Sequence, residues 1–409
     1  MRLAFWLAFS SFHFMVNLSM TSRERLLAAM QHQPVDHIPC SFMMFKGLWS
    51  RSNTYLEFIQ KQMELGLDVC VELPPRQPGI VSDSYNLHGL PVKYHDAVTV
   101  EEWKESQPDS RWPILIKEYN TPGGCLRVEV NKDSEWPYGD HVPFLDDYVI
   151  NRSRKFLIEE YSDLEALQYL LVPPGAEEVV DFKQDSQTAI DFAREHDLLL
   201  SGGWGVGADL IGWIFGLENM IFAAYDQAGL IKDLLGIIDR WNRSRMKVVL
   251  EAGVDLYIKR AWYENCDFWT PDKWREFIFP ILKSDVELAH QRGALFGYLI
   301  TSRCMPLLEM IAEAGVDVVI GVDPRVWDLK RAKEILSGEV CLWGGVNGHL
   351  TIEQGTPEAV SEEVHDVLKL FGGSSGFILS PVDNVRILNE VSETNIQILI
   401  HEWNKSYSQ

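Results

Sequence analysis

Eight apolar runs punctuate the chain, each ending in small or polar residues: HIPCSFMMF (37–45), DVCVELPP (68–75), LLLSGGWG (198–205), DLYIKRAWYE (255–264), ALFGYLITS (294–302), VDVVIGVDP (316–324), VCLWGGVNG (340–348) and GFILSPVDN (376–384). They are nearly continuous rather than alternating, which is how strands buried on both faces read. From the third run onward, helix-like segments fall between or beside them, near 161–170, 178–196, 217–229, 230–252, 271–292, 304–314, 328–336, 356–371 and 391–403. Two more, at 21–32 and 54–65, precede the first and second runs. Thr270-Pro271 and Thr356-Pro357 read as helix starts, a cap followed by proline at the first helical position. Thr21 is a cap, with Glu24 placed to close a capping box. Eight strand–helix units predict an α/β chain folded as a (β/α)8 TIM-type barrel. Such barrels do their chemistry at the C-terminal ends of the strands, so the end of each run is where candidates belong.

One stretch breaks this rhythm. Residues 85–165 contain extended pieces such as LPVKYHDAVTV and a hairpin-like IKEYNTPGGCLRVEV with Pro122-Gly123-Gly124 at its turn. The pattern predicts a β-rich insertion after strand 2, either covering the barrel mouth or making a surface excursion.

The chain has 409 residues, 46% of them hydrophobic, enough for one enlarged barrel domain over 20–404 with a short tail at 405–409. The apolar stretch within 1–19 imitates an export signal, but it is short for a membrane span and no small-x-small site follows. Met20 is read as the true start and 1–19 as an upstream extension, with a real signal as the other reading. A net charge of −22 argues against nucleic acid or an anionic membrane as partner. Six cysteines without a CxxC pair suit reduced thiols and a cytoplasmic location.

The densest cluster of reactive side chains ends the fourth run, KRAWYENCDFW. Glu264 there is a candidate acid, base or metal ligand, walled by Trp262, Tyr263 and Trp269, or else an ordinary loop carboxylate. Strand alternation sends either Lys259 or Arg260 inward, to bind a substrate anion or to form an ion pair. Asp383 and Asn384 end the eighth run, as proton acceptor or ligand and neighbour, or as an Asx turn. Tyr298, Thr301, Ser302 and Arg303 end the fifth; Tyr298 and Arg303 are candidates to position substrate, and Ser302 reads as a helix cap. Asp323 ends the sixth run. Trp343 and Asn347 flank two glycines in the seventh, and Trp204 follows two glycines in the third. Glu72 and Arg76 complete the strand ends. Glu72, Glu264, Asp323 and Asp383 form a candidate set for a hard metal. His95 and His141 lie in the insertion, either over the mouth or simply exposed. Several of the fourteen tryptophans fall near strand ends, among them 49, 204, 262, 269 and 343. Such flat walls suit a tetrapyrrole, a corrinoid or an aryl methyl ether, or are plain barrel packing.

Several segments together resemble the uroporphyrinogen decarboxylase superfamily: TSRERLLAAMQHQPVDHIP, TPDKWREFIFPILK, PLLEMIAEAGVDVVIGVD, WGGVNG, EQGTPEAVSEEV and GFILSPVDN. The resemblance runs from about residue 20 to 404 and implies a barrel. The superfamily holds uroporphyrinogen decarboxylases and corrinoid-linked methyltransferases and demethylases. True decarboxylases carry Arg-Gln-Ala-Gly-Arg after the first strand. Here the region reads FMMFKGLWS, with Lys46 as its only cation, and Asp383 stands where their last strand has the histidine of a Gly-His-Gly turn. The methyltransferase branch often has a His-x-Cys zinc pair; Leu299 and Thr301 occupy those places, and Cys304 nearby reads as a helix start. The usual family zinc ligands are therefore absent. The resemblance implies one-carbon chemistry, methyl transfer or demethylation of a small methylated substrate, with a corrinoid protein as candidate partner and methyl carrier and a homodimer as candidate assembly. Glu264, Asp383 and Tyr298 are the candidate catalytic residues. Trp204, Arg260, Trp262, Tyr263, Arg303, Trp343, Asn347 and Asn384 are the candidate binding residues, and Glu264, Asp323 and Asp383 the candidate metal ligands. Decarboxylation of uroporphyrinogen or another carboxylated substrate is the alternative, and a non-catalytic tetrapyrrole or corrinoid binder the third reading.

Overall fold

The computed structural model describes residues 19–75, 89–106, 111–372 and 375–407. Arg76, and all of the 1–19 segment except Ser19, lie outside them.

Seven parallel strands form one curled sheet: β1 (Cys70–Leu73), then, after the insertion, β6 (Leu199–Val206), β7 (Leu256–Arg260), β8 (Leu295–Leu299), β9 (Val318–Val322), β10 (Cys341–Asn347) and β11 (Phe377–Val382), neighbouring in that order. All but β1 and β8 are buried at every position, which is why their sequences run apolar without alternation. The first run, expected as a full strand, contributes only a bridge. Cys40 pairs with Leu379, with Ser41 N–H donating to Leu379 O (3.0 Å) and Leu379 N–H to Pro39 O (2.8 Å). On its other side Cys40 O accepts from Asp68 N–H at 2.8 Å. The segment therefore touches both edges of the sheet and occupies the eighth place of the barrel. Pro39 has no N–H to extend the ladder, which fits the brevity of the pairing.

Strand parity separates two apolar layers. Leu199, Trp204, Leu256, Ile258, Leu299, Ile320, Trp343 and Ile378 fill the barrel interior, whereas Tyr257, Phe296, Tyr298, Val319, Leu342 and Leu379 pack outward against the helices. The helices follow the predicted segments closely: Ala176–His196, Ala228–Glu251, Pro357–Phe371 and Glu390–Lys405 among them. Thr21 caps helix Ser22–Met30 in a complete capping box with Glu24. The segment expected as one helix over 271–292 is two, Pro271–Phe277 and Phe279–Gln291. Pro280, lacking a backbone donor, sits in the first turn of the second. Helix Ala208–Ile214 was not predicted. All seven of its residues are buried, so it has no polar face to betray a helical period.

The insertion is a four-stranded antiparallel sheet of β2 (Thr99–Glu105), β3 (Ile114–Thr121), β4 (Gly124–Asn131) and β5 (Ser153–Lys155), with the β3–β4 hairpin turning at Pro122-Gly123 as expected. Among the described residues no helix is long and apolar enough to cross a membrane.

Candidate functional site

Two β-bulges shape the mouth of the barrel. The β6–β7 register shifts between Gly203 and Gly205, and the β9–β10 register between Trp343 and Gly344. At the first, Trp204 is the extra residue and takes φ +64°, a left-handed conformation that a bulky side chain rarely adopts. Gly203 precedes it at φ +125°, where a Cβ would lie 2.4 Å from Ile258 O. Bulges of this kind re-aim a side chain, and strained backbone concentrates at functional sites. Here the indole of Trp204 is delivered into a cavity.

That cavity, about 320 Å³, is walled by Trp204, Trp343, Ile258, Phe42, Met43, Met44, Phe45, Trp49 and Phe58. Its polar lining comprises Lys46, Glu72, Asn384, Ser41, Ser201, Gln62 and Tyr55, with Cys70 beside them. Trp343 is anchored through its indole N–H to Ser41 O (2.9 Å), and Asn384 Oδ1 accepts from Lys46 N–H (3.0 Å). Glu72 N–H donates to Tyr55 OH at 2.6 Å. Met43, Met44 and Trp343 also line a narrower recess that continues to Leu299, Thr301 and Asp383. Asp383 is reached by solvent within this concave mouth, yet the protein crowded around it raises its carboxyl above the ordinary range. Arg386 and Arg260 oppose that rise, and Asp323 and Asp147 add to it.

Of the residues singled out in the sequence, Lys46, Trp49, Glu72, Trp204, Trp343 and Asn384 line the cavity, and Thr301 and Asp383 lie in the adjoining recess. Glu264 and Tyr298, expected as catalytic, do not line either space. Tyr298 has outward parity on β8 and is fully buried. Its hydroxyl donates to Glu264 Oε2 at 2.5 Å, while Glu264 Oε1 accepts from Ala208 N–H at 2.9 Å. Both carboxylate oxygens thus hold the start of helix Ala208–Ile214 and the fifth strand of the barrel together. Lys259 likewise faces outward, paired with Asp285 at 2.8 Å. Burial alone would lower its pKa, but Asp285 and Glu264 outweigh burial and raise it, so it stays charged.

Arg260 takes the inward-facing alternative and is enclosed at the mouth. Its Nη2 donates to both oxygens of Asp147 (2.8 and 2.7 Å), its Nε lies 2.9 Å from Asp209, and it stacks on Trp262 and Trp213. Asp147 opens the short helix Asp147–Ile150 of the insertion and also accepts from Tyr263 OH (2.8 Å) and Trp213 Nε1 (2.9 Å). The insertion therefore reaches the mouth and is fastened there. Asp209 accepts from the backbone N–H groups of Trp262 and Tyr263, and burial lifts its pKa to about 6 against the pull of Arg260. Trp269 supports the same loop by donating to Tyr263 O at 2.8 Å.

The other candidates are engaged elsewhere. Asp323 Oδ2 accepts from Asn347 Nδ2 (2.9 Å), and Asn347 caps the turn after β10, accepting from Leu350 N–H. Arg303 is exposed beside Asp267, and Ser302 is bonded to the same carboxylate. His141 pairs with Glu102 inside the insertion, and His95 accepts from Ala97 N–H. Among the described residues no group of three His, Cys, Asp or Glu side chains is placed to hold a metal ion. The expected set of Glu264, Asp323 and Asp383 is not assembled, because Glu264 is turned to Tyr298 and Ala208 and Asp323 to Asn347. The zinc set of the methyltransferase branch has no match either, since Leu299 and Thr301 stand at its places beside Asp383. Sequence reasoning missed Met43, Met44, Tyr55 and Gln62 of the lining and the Asp147–Asp209–Trp213 surround of Arg260. The Met43-Met44 pair was visible at a strand end; the Asp147 contact spans 113 residues and leaves no local signal.

Comparison with known proteins adds context. A family model described as uroporphyrinogen decarboxylase (URO-D) matches residues 186–405, more than half of the chain. Curated relatives include a uroporphyrinogen decarboxylase from Chlorobium luteolum, 31% identical over 193 residues, covering 45% of this chain and 52% of the relative. Another, from Chlorobium limicola, is 26% identical over 241 residues, covering 56% and 66%. The chain spans about half the length of the first of these. Among solved structures, a methyltransferase from Methanosarcina mazei is similar in fold, with a TM-score of 0.60, 17% identity and coverage of 95% of this chain and 99% of that one.

Proposed function

The chain belongs to the uroporphyrinogen decarboxylase family, and from that premise we propose that it is an enzyme of one-carbon chemistry, removing a methyl group from a small, largely apolar substrate held at the barrel mouth. The lining of the cavity carries this reading. Its volume lies at the low end of small-molecule pockets, about 300–1,000 Å³, and its walls are tryptophan, phenylalanine and methionine. Uroporphyrinogen bears eight carboxylates, which call for several cations and favour arginine forks. Lys46 is the one cation in the described lining.

Breaking an O–CH3 or N–CH3 bond by attack at the methyl carbon leaves the bonding pair on the heteroatom, which then takes up a proton. Asp383, with its raised carboxyl in the adjoining recess, is the group assigned to donate it. Trp204, Trp343 and the methionines hold the methyl-bearing end and exclude water; Asn384 and Glu72 orient polar substituents. A reduced corrinoid, when bound to its carrier protein, supplies a strong methyl-accepting nucleophile. It is larger than the cavity, so in this reading it approaches from the open mouth as the cargo of a partner. No step is assigned to zinc, whose usual ligands are replaced.

The test is incubation of the full chain with a reduced corrinoid protein and methoxyphenols or methylamines, following the absorbance change of corrinoid methylation. Methyl transfer is expected, with a loss of about a hundredfold or more in Asp383→Asn. The names of the curated relatives favour the other reading, decarboxylation. Turnover of uroporphyrinogen with no methyl movement from any probe would establish that reading instead.

A further inference from the structure

Two neutral polar side chains stand on the cavity wall at positions where apolar ones would serve packing better. On helix Tyr55–Glu64 the buried stripe is Tyr55, Ile59 and Gln62, at helical spacing. Gln62 is only 4% exposed, it lines the cavity, and no hydrogen bond ties its carboxamide to another described residue. Ser201 stands on β6 two residues after Leu199, which fills the barrel interior, and so shares its parity. It too is buried and lines the cavity, and its hydroxyl shares no hydrogen bond with a described residue. Buried polar groups are nearly always paired, and one left unpaired is costly, so a wall that keeps an amide and a hydroxyl free is one that faces a ligand or water. The charged members of the lining are placed differently. Glu72 lies opposite Ser201 in the β1–β6 register, and Lys46 is an exposed residue.

We propose that Gln62 and Ser201 form a subsite for a hydroxyl group, so that the substrate is a neutral methylated compound that also carries a hydroxyl. The hydrogen-bonding capacity of the two side chains selects this group. A carboxamide offers N–H donors and a carbonyl acceptor, and a serine hydroxyl both donates and accepts. A substrate hydroxyl does both as well, and each side chain can meet it. A carboxylate only accepts, and beside Ser201 it would be buried next to Glu72, with the lining's cation on exposed Lys46. An ammonium only donates and would leave the carboxamide N–H groups unmatched. A bare hydrocarbon end leaves both side chains unpaired. Sites built to hydrogen-bond a substrate group reject the analogue lacking it more strongly than apolar walls reject a change of size, so these two residues set specificity within the cavity. The subsite rests on the placement of substrate in this cavity proposed above.

The test is binding to the full chain in the absence of corrinoid, read by isothermal titration calorimetry. The probes are methoxybenzene, the ortho, meta and para methoxyphenols, and 3-methoxybenzoate. At least one methoxyphenol is expected to bind about threefold to tenfold more tightly than methoxybenzene, the effect of one neutral hydrogen bond. Gln62→Met keeps a similar volume without the amide. It is expected to erase this preference, to bind methoxybenzene as the parent does, and to melt no lower, because a group without a partner has been removed. Ser201→Ala is expected to reduce the preference in the same direction. A hydroxyl preference that survives both substitutions overturns the proposal, whatever happens to the melting temperature. So do methoxyphenols that bind no more tightly than methoxybenzene, tightest binding of the benzoate, or no binding of any probe. Calorimetry needs no methyl acceptor, so this subsite and the methyl-transfer reading fail separately. A preference lost in Gln62→Met, with no methyl transfer from any methoxyphenol, keeps the subsite and removes that reading; methyl transfer with the preference unchanged in both variants does the reverse.

Discussion

Replacing Tyr298 with phenylalanine separates a structural role for the Tyr298–Glu264 pair from a catalytic one. The substitution keeps the ring in its buried place and deletes a hydroxyl that donates to Glu264 Oε2 at 2.5 Å. Glu264 is itself buried, so water cannot replace the donor, and the backbone N–H of Ala208 remains as the partner of the other oxygen. A hydrogen bond to a charged group contributes about 1.5–3 kcal/mol. With an unfolding entropy of about 2.1 cal/mol/K per residue, a chain of 409 residues has a transition entropy of about 0.9 kcal/mol/K. The melting temperature is therefore expected to fall by about 2–4 K in Tyr298→Phe. In a Glu264→Gln background the same change is expected to cost less than half as much, because the charged acceptor is already gone. The assay is thermal unfolding of the four proteins of this cycle, with ligand binding measured beside it. An unchanged melting temperature together with a lost activity would refute the reasoning and return Tyr298 to the chemistry.

Other perturbations follow from the same geometry. Asp383→Asn is expected to abolish the alkaline limb of the rate profile: the carboxyl is raised in the folded protein, so a step needing its proton slows as pH rises through its pKa. Asp209 and Asp68 both have folded pKa values raised to about 6 from 3.8, so they bind protons more tightly folded than unfolded. Their contribution to stability is full below about pH 3.8 and lost as pH rises through about 6; Asp209→Asn is expected to flatten the melting-temperature profile across that window. Gly207→Ala places a Cβ 2.1 Å from Glu264 Oε1, so the carboxylate must leave the start of helix Ala208–Ile214; a loss of about 1–3 kcal/mol is expected in denaturant unfolding. Metal content measured by elemental mass spectrometry is expected to be the same in Glu264→Gln as in the parent, since both oxygens of Glu264 already have partners within the protein.

The barrel was legible because buried parallel strands leave a signal that needs no long-range information. Seven of the eight apolar runs became strands, and the eighth place was filled by a bridge shortened at Pro39. What failed was the step from strand end to side-chain direction. Tyr298 and Glu264 stand at strand ends, yet Tyr298 shares its outward parity with Phe296 two residues earlier. Counting alternate positions from the known interior residues would have exposed this. The bulge at Trp204 works the other way, since an extra residue resets parity and turns a tryptophan into the cavity. Its only trace in the sequence is the pair of glycines before it. Asp147 and Asp209 left no trace at all, because their meaning depends on a contact between the insertion and the barrel.

Those two contacts also explain how a strongly acidic chain can present a mouth with little free charge. Arg260 is compensated by Asp147 and Asp209, Lys259 by Asp285, and Glu264 is held by a hydroxyl and a backbone N–H. The strong charges at the end of β7 are thus satisfied by the scaffold, and in being satisfied they fasten helix Ala208–Ile214 and the insertion to the barrel. The cavity is left mainly to tryptophan, phenylalanine and methionine. Such a surface discriminates by shape and by a few directed hydrogen bonds, because desolvating a polyanionic substrate there would find too few cations in return. The same internal pairing that occupies both oxygens of Glu264 is consistent with the neutral substrate proposed above. Lys46 and Glu72 are then the polar pair whose exchange, Lys46→Met or Glu72→Gln, should alter which substituents are accepted while leaving the barrel intact.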